Sequence, residues 1–330
     1  MKKWIQAARL YVIGASVLPA AFGGLFAYYK NGAFAPSLFV LTVIGIALIH
    51  SGANLINDYF DFRSGADLYN PDAVFPYSGG SRVIVEGKIR AEAVLCAAIL
   101  CYSVASLVGI YLTYRSGWAI LPIGIVGIAS SILYVSPRFS MLKLGIGEIV
   151  LGLDFGVLTV LGAYYVQMGG LSFAAFMASL PLAIIIALIL IVNEFPDYRG
   201  DLAADKRTVV VRLGKKKTAV LVNILLLVTA FLILFNALAG FTSRWSLTAL
   251  LALPFMLKTA FIVAKHYDDV TRMLPANRFM VEILIIGGAW LIISCLLSGG
   301  LVIPGLLLTG LLCFYQIVTM KKNGLQTFPY

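Results

Sequence analysis

Two groups of acidic and amide side chains stand where long apolar runs of the sequence end. The first group reads NDYFDFRSGAD at 57–67, and the second reads NEFPDYRGDLAAD at 193–205. Within each group most neighbouring acids are three or four residues apart, so they share a face if these ends are helical. Carboxylates this close repel one another unless a cation neutralises them, which makes both groups candidates for binding a metal ion. The acids concerned are Asp58, Asp61, Asp67, Asp197 and Asp201.

Mg²⁺ is the cation that this set of donors indicates. It binds a few carboxylate oxygens and keeps its other positions for water and phosphate oxygens. Two such groups on one membrane face would hold Mg²⁺ around a diphosphate, and nearby basic side chains would neutralise the remaining charge. Ordinary solvated loops are the alternative, but carboxylates at a lipid boundary are costly, which favours a functional reason. The basic residues concerned are Arg63, Arg82, Arg138, Lys143, Arg199 and Lys206.

The elements that must position these groups are membrane-spanning helices. Of the 330 residues, 61% are hydrophobic and only 12% are charged, whereas soluble domains carry about 25% charged residues. Apolar runs of about 20 residues, long enough to cross a bilayer, recur along the chain. The sequence therefore predicts an all-α, multispanning membrane bundle whose first run is a span and not a cleaved signal. The predicted spans are 9–29, 38–57, 92–114, 117–135, 146–167, 173–193, 217–239, 245–264, 279–298 and 301–320.

The net charge of +10 does not indicate nucleic-acid binding, because the basic residues follow the membrane topology. If the ten spans alternate in direction, most Lys and Arg residues fall on one side, and only Lys30, Arg115 and Arg244 fall on the other. Cytoplasmic loops carry such an excess of positive charge. Both acidic groups and both termini are therefore predicted to lie on the cytoplasmic side of a cell membrane.

A single domain covering 1–330 is the simplest organisation. Two hydrophilic loops, predicted at 58–91 and 194–216, are longer than the other connections, and long loops in compact domains are commonly functional. The spans before them, the second and the sixth, end in Asn followed by an acid. This spacing predicts two pseudo-repeated four-helix units that each contribute one Asp-rich loop. In the second loop, Pro196 is predicted to lie in the first turn of a helix.

The order and spacing of the two acidic signatures resemble the UbiA superfamily of intramembrane aromatic prenyltransferases, over roughly residues 5–300. NDYFD, closed by Asp67, is similar to the first signature of that family, and DYRGD at 197–201 is similar to the second. The segments KRTVVVRLG at 206–214 and YVSPR at 134–138 also look like the family. The resemblance implies a nine-helix core, so the tenth apolar run is expected to add a C-terminal span.

Within the superfamily the sequence is most similar to the 1,4-dihydroxy-2-naphthoate prenyltransferases of menaquinone synthesis. The last acid of the first signature lies six residues past the middle one, and the second signature reads N-x-x-x-D-x-x-x-D. Glu194 and Asp205 depart from that branch, so 4-hydroxybenzoate, homogentisate and a lipid glycerol ether stay open as acceptors. A membrane transporter is the alternative outside the superfamily, although its coupling acids are expected near mid-span.

The resemblance implies Mg²⁺-dependent transfer of a polyprenyl group from its diphosphate to an aromatic acceptor. The five acids would hold Mg²⁺ on the diphosphate, with supporting contacts from Asn57 and Asn193. Tyr134 would face the carbocation or the leaving oxygen, and Arg9 matches a family position close to the acceptor pocket. The other residues expected to bind substrate or line the cavity are Asn54, Arg63, Arg82, Arg138, Lys143, Glu148 and Lys206.

Overall fold

The structure is a computed structural model that describes residues 1–65, 80–136, 141–203 and 205–322. The predicted site residues Asp67 and Arg138 lie outside the described residues. The helices are α1 (Lys2–Ala7), α2 (Gly14–Asn31), α3 (Pro36–Ser64), α4 (Ala91–Ser116), α5 (Ile120–Val135), α6 (Met141–Leu144), α7 (Gly147–Gly152), α8 (Thr159–Met168), α9 (Phe173–Ala203), α10 (Val209–Leu213), α11 (Lys215–Leu238), α12 (Leu253–His266), α13 (Val270–Ser298) and α14 (Val302–Lys322). A π-helical turn, Leu153–Leu158, joins α7 to α8, and two 3₁₀ segments, Leu10–Val12 and Arg244–Ala252, precede α2 and α12.

The prediction of an all-α membrane bundle is confirmed. In the described part of the chain, 9 helical segments are long and apolar enough to cross a bilayer. The run predicted at 117–135 forms α5, which is also apolar but has only 16 residues. The last apolar run forms α14, which is long and apolar enough to cross a bilayer.

Helices α3 and α9 are longer than the predicted spans, and their extra turns carry the acidic groups. The predicted spans ended at 57 and 193, whereas α3 continues to Ser64 and α9 to Ala203. The predicted loop starts at 58 and 194 are therefore wrong. Gly65 ends α3 in the left-handed conformation, with φ of 78°, and its N–H bonds to the carbonyl of Phe62. This conformation suits glycine because it has no Cβ.

Two prolines lie inside α9, Pro181 and Pro196, so the prediction that Pro196 begins a helix is wrong. A proline inside a helix leaves the carbonyl four residues earlier without its N–H donor. Buried asparagines from neighbouring helices supply that donor in both cases: Asn236 of α11 at 2.8 Å and Asn277 of α13 at 3.1 Å. Such external donors allow a proline-containing helix to stay continuous inside a membrane.

Helix α9 is central to the larger of the two main hydrophobic clusters. It packs against α7, the π-helical turn, α11 and α13, and α2 packs against α8 and α13. Large side chains such as Phe22, Phe195 and Phe255 fill the spaces between these helices. The π-helical turn packs so closely against α9 at Gly156 that no side chain fits there: a Cβ added to Gly156 would lie 2.3 Å from Cα of Ala183. Small residues at helix contacts let membrane helices approach closely and gain van der Waals contact.

The second cluster joins the N-terminal segment to α3 and α4. Val83 and Ile89, which precede α4, pack with Leu55 of α3 and with Ala7 of α1. Residues of this part of the chain and of α9 line one cavity, so the two acidic helix ends border the same space.

Replacing Gly156 by leucine is expected to lower the unfolding temperature, because the added side chain overlaps the backbone of α9. Overpacking of this kind costs about 1–3 kcal/mol. Gly310→Ala in α14 is the control, since a Cβ there meets nothing within 4 Å and alanine favours a helix. Thermal unfolding of the detergent-solubilised chain, followed by tryptophan fluorescence, measures both. Equal unfolding temperatures for Gly156→Leu and the unsubstituted chain would contradict the close contact.

Candidate active site

A cavity of about 270 Å³ lies between the ends of α3, α5 and α9. Side chains of both acidic groups line it, together with residues that precede α2 and residues that follow α9. The structure thus brings the two groups, which are far apart in sequence, to one space. The polar residues in its wall are Arg9, Tyr11, His50, Asn54, Asn57, Asp61, Ser131, Tyr134, Asn193, Glu194, Asp197, Asp201, Lys206 and Thr208.

The first wall is built on Asn57 and Asp61, which are four residues apart and so lie on one face of α3. Asn57 Nδ2 donates to Asp61 Oδ2 at 3.1 Å, and Arg9 Nη2 donates to Asn57 Oδ1 at 2.8 Å. Arg9 adopts a left-handed backbone conformation with φ of 49°. This turn between α1 and the 3₁₀ segment brings the guanidinium to the cavity.

Asp58 does not line the cavity, although it lies between Asn57 and Asp61 in sequence. Its carboxylate is 2% exposed and pairs with Arg9. It also accepts hydrogen bonds from the hydroxyl of Ser81 and, at 3.2 Å, from the Ser81 N–H. These contacts hold the carboxylate of Asp58 in the packing between α3 and the residues before α4, so Asp58 and Asp61 have different surroundings, and a metal-binding role for Asp58 stays a prediction.

The second wall is built on Asn193, Asp197 and Asp201, which repeat every four residues along α9. Lys206, just after this helix, connects the two walls: its Nζ lies 3.4 Å from Asp61 Oδ1 and 4.0 Å from Asp201 Oδ1. Burial by itself lowers the pKa of Lys206, but the surrounding carboxylates outweigh burial, so the net pKa is above its ordinary value. Lys206 is therefore a charged internal cation at neutral pH.

The remaining predicted site residues divide into two sets. Asn54 and Tyr134 line the cavity, and Asn54 Nδ2 also donates to the carbonyl of Ala8 at 3.1 Å. The other set does not reach the cavity wall: the side chains of Arg63 and Lys143 lie on the exposed surface, Arg82 pairs with Glu86 at 3.8 Å, and Glu148 is buried behind the wall. For this second set, substrate binding stays a prediction.

Glu148 has a structural partner instead. Its Oε1 accepts the N–H of Val209 at 2.8 Å, and the N–H of Arg207 bonds to the carbonyl of Leu142 at 3.0 Å. Both contacts tie the segment after α9 to α6 and α7. They hold Lys206 between the acidic groups.

Sequence reasoning gave no site role to several residues that the structure places here. Thr208 donates to Asp201 Oδ2 at 3.5 Å, and Glu194 lines the cavity although it is only 7% exposed. An acid buried in an apolar run is itself a signal of function, and it applies to Glu194. His50 is a packed side chain: its Nδ1 lies 2.8 Å from Ser16 Oγ in a hydrogen bond, and its ring contacts that of Phe155.

The donor set of the cavity fits a hard, oxygen-binding cation. Carboxylate and amide oxygens come from both walls, and Glu194 Oε2 is buried without a hydrogen-bond partner. These are the ligand types that Mg²⁺ prefers. Among the described residues, no three His, Cys, Asp or Glu side chains are already grouped closely enough to hold a metal. As the chain stands, Lys206 occupies the space between the carboxylates.

The chain is thus an apolar helical bundle that gathers carboxylates, amides and a cation in one cavity. A profile of the UbiA prenyltransferase family matches residues 16–281. The chain belongs to the UbiA prenyltransferase family and is a prenyltransferase.

Relatives by sequence agree with this assignment. The chain is 26% identical over 251 residues to the 1,4-dihydroxy-2-naphthoate octaprenyltransferase of Bacillus subtilis (strain 168), covering 76% of this chain and 78% of the relative. It is 28% identical over 268 residues to UbiA prenyltransferase domain-containing protein 1 of Danio rerio, covering 80% of this chain and 75% of the relative.

Solved structures show the same fold. A UbiA homologue from Archaeoglobus fulgidus bound to GPP and Mg²⁺ superposes with a TM-score of 0.61 at 17% identity, covering 88% of this chain and 99% of that one. A UbiA homologue from Aeropyrum pernix K1 gives a TM-score of 0.66 at 15% identity, covering 86% and 97%. The chain therefore shares the fold of these UbiA homologues.

Removing the Arg9 guanidinium is expected to destabilise the fold by about 3 kcal/mol, because it leaves the buried carboxylate of Asp58 without its cation. Arg9→Met should therefore lower the unfolding temperature markedly. Adding Asp58→Asn should restore part of the loss, since the amide carries no charge and still accepts from Ser81. Unfolding temperatures of the two single variants and the double variant measure this coupling. Strictly additive effects would contradict the proposed pairing.

Proposed function

We propose that this prenyltransferase uses Mg²⁺ to transfer a polyprenyl group from polyprenyl diphosphate to an aromatic ring, with 1,4-dihydroxy-2-naphthoate as acceptor. The observation that carries the proposal is the meeting of Asn57–Asp61 and Asn193–Asp197–Asp201 in one cavity with Lys206 between them. The name of the Bacillus subtilis relative supports the acceptor. The Archaeoglobus fulgidus homologue, bound to GPP and Mg²⁺, supports the donor and the metal.

The residues that would hold Mg²⁺ are the cavity acids Asp61, Asp197 and Asp201, with amide oxygens of Asn57 and Asn193. When bound, Mg²⁺ neutralises charge on the diphosphate and so makes it a better leaving group. Asp67, which the sequence places in the same signature, stays part of the proposed metal set. Arg138 stays a proposed diphosphate partner on the same grounds.

The chain's own residues contribute binding, charge and exclusion of water. Lys206 lies within reach of both walls and would donate to diphosphate oxygens as the C–O bond breaks with its electron pair on the diphosphate. The allylic carbocation left behind would face the rings of Tyr134 and Phe155, each worth about 0.5–2 kcal/mol to a cation. The acceptor's ring carbon then forms the new C–C bond, and the ring loses a proton or, for the naphthoate, carbon dioxide.

Part of the cavity wall is apolar. Leu151, Ile186 and Ile189 form part of its wall beside Phe155. Water would quench the carbocation, so a lining that excludes water protects the reaction. We propose that Arg9, which lines the same cavity, faces the acceptor. The acidic helix ends would open to the cytoplasm, and the bilayer of the cell membrane would deliver the polyprenyl tail.

The acceptor is tested by supplying the purified chain with one polyprenyl diphosphate, Mg²⁺ and a panel of acceptors. We expect 1,4-dihydroxy-2-naphthoate to give the prenylated, decarboxylated product in mass spectrometry, and chelation of Mg²⁺ by EDTA to abolish it. The competing acceptors are 4-hydroxybenzoate, homogentisate and a lipid glycerol ether. Product with only one of these would reject the naphthoate while keeping polyprenyl transfer.

Asp61→Asn and Asp197→Asn are each expected to lower kcat by roughly 10²–10³-fold, because each removes a charge that organises the leaving group. Asp205→Asn is the matched control: it makes the same chemical change nearby, at an exposed position with φ of 53°. Asparagine tolerates this conformation. Initial rates at saturating Mg²⁺ measure the three variants. A kcat of Asp61→Asn equal to that of Asp205→Asn would contradict the proposed site.

A further inference from the structure

Asn193 begins the acidic group of α9, and a side chain from another helix holds it. Asn277 of α13 is fully buried. Its amide nitrogen donates to the backbone carbonyl of Val192 at 3.1 Å and to Oδ1 of Asn193 at 2.8 Å. An amide nitrogen of this kind carries two hydrogens, so both of its donors are used on two successive residues of α9.

A proline determines how these two amides are oriented. The carbonyl of Val192 has no helical donor because Pro196, four residues later, has no N–H. A carbonyl oxygen only accepts, so the Asn277 atom facing it must be the nitrogen. The Asn193 atom facing that nitrogen must then be the acceptor Oδ1. Pro196 therefore fixes, through Asn277, the orientation of the Asn193 amide in the cavity wall.

The first acidic group has the same arrangement with a different donor. Asn57 precedes Asp61 by four residues, as Asn193 precedes Asp197, and its Oδ1 is held by Arg9 at 2.8 Å. With Oδ1 fixed, Asn57 Nδ2 donates to Asp61 Oδ2. An asparagine whose oxygen is held from outside its own helix thus stands at the start of both groups.

We propose that Asn277 is a positioning residue of the active site: it engages one lone pair of Asn193 Oδ1, which leaves the second lone pair for Mg²⁺ and the Asn193 Nδ2 to donate to a diphosphate oxygen. This inference rests on the proposed function of the cavity. Residues that orient metal ligands commonly change metal affinity or activity by roughly 10–100-fold when removed. Asn277 is not among the residues that line the cavity, so it acts through Asn193.

The chain contains a matched control for this role. Asn236 is also buried, and its nitrogen donates at 2.8 Å to the carbonyl of Met177, which Pro181 leaves without a donor. In both asparagines Oδ1 has no hydrogen-bond partner. Asn236 therefore supports α9 as Asn277 does, but it bonds to no residue of the acidic groups. Comparing the two alanine variants separates support of the helix from positioning of the site.

The test is the Mg²⁺ dependence of thermal unfolding of the purified chain, with saturating inorganic pyrophosphate. Both Asn277→Ala and Asn236→Ala are expected to lower the unfolding temperature without Mg²⁺. Mg²⁺ should raise the unfolding temperature of each variant. Only in Asn277→Ala should the Mg²⁺ concentration that gives half of this rise increase, by roughly 10–100-fold. In an Asn193→Ala background, Asn277→Ala should add no further increase, because the two residues act as one unit.

Pro196→Ala keeps the test decisive if Asn277→Ala unfolds too easily. When Pro196→Ala is combined with Asn277→Ala, residue 196 regains an N–H that can donate to the Val192 carbonyl. The unfolding temperature should then recover, while the Mg²⁺ concentration needed for stabilisation should stay raised. An unchanged Mg²⁺ midpoint in Asn277→Ala, or an equal rise in Asn236→Ala, overturns the positioning role and leaves the proposed function intact. Absence of any Mg²⁺ response and of prenyl transfer in the unsubstituted chain would instead overturn the proposed function.

Discussion

Carboxylates gathered at the end of an apolar bundle must be neutralised where they stand, and the rest of this structure depends on that constraint. Arg9 pairs with Asp58, and Lys206 lies between Asp61 and Asp201. These two cations come from the segments that precede α2 and follow α9. Charge balance therefore also fixes the segments that border the cavity. The same contacts that stabilise the acids shape the space in which a substrate would bind.

Much of the fold and part of the site could be predicted from the sequence. Apolar runs and their lengths gave the helices, because in a bilayer a long apolar run has few alternatives to a spanning helix. The order of the two acidic signatures predicted that they act together, and the cavity contains residues of both. The division into two pseudo-repeated four-helix units stays a prediction.

The individual roles of neighbouring acids could not be predicted, because they depend on tertiary partners. Asp58 and Asp61 are equivalent by spacing alone, yet Asp58 pairs with Arg9 and accepts from Ser81, whereas Asp61 lies beside Lys206. Where Ser81 lies depends on the packing of the segment before α4, which spacing within α3 does not reveal. The end of α9 was predicted too early for a related reason. Hydropathy falls at the first charged residues, but the helix continues because its polar side chains have partners. Asn277 fell outside the span predicted at 279–298 for the same reason.

The two asparagines that begin the acidic groups differ in the kind of donor that holds them. Asn57 is held by a guanidinium that is 20% exposed, whereas Asn193 is held by a neutral amide that is completely buried. Mobile ions weaken interactions between exposed charges over distances of about 10 Å at moderate ionic strength, and they weaken a partly buried pair much less. The guanidinium that holds Asn57 is shared with the carboxylate of Asp58, whereas the amide that holds Asn193 is shared with a backbone carbonyl of α9. The orientation of Asn57 is therefore coupled to the charge balance of α3, and that of Asn193 to the packing of α9 against α13.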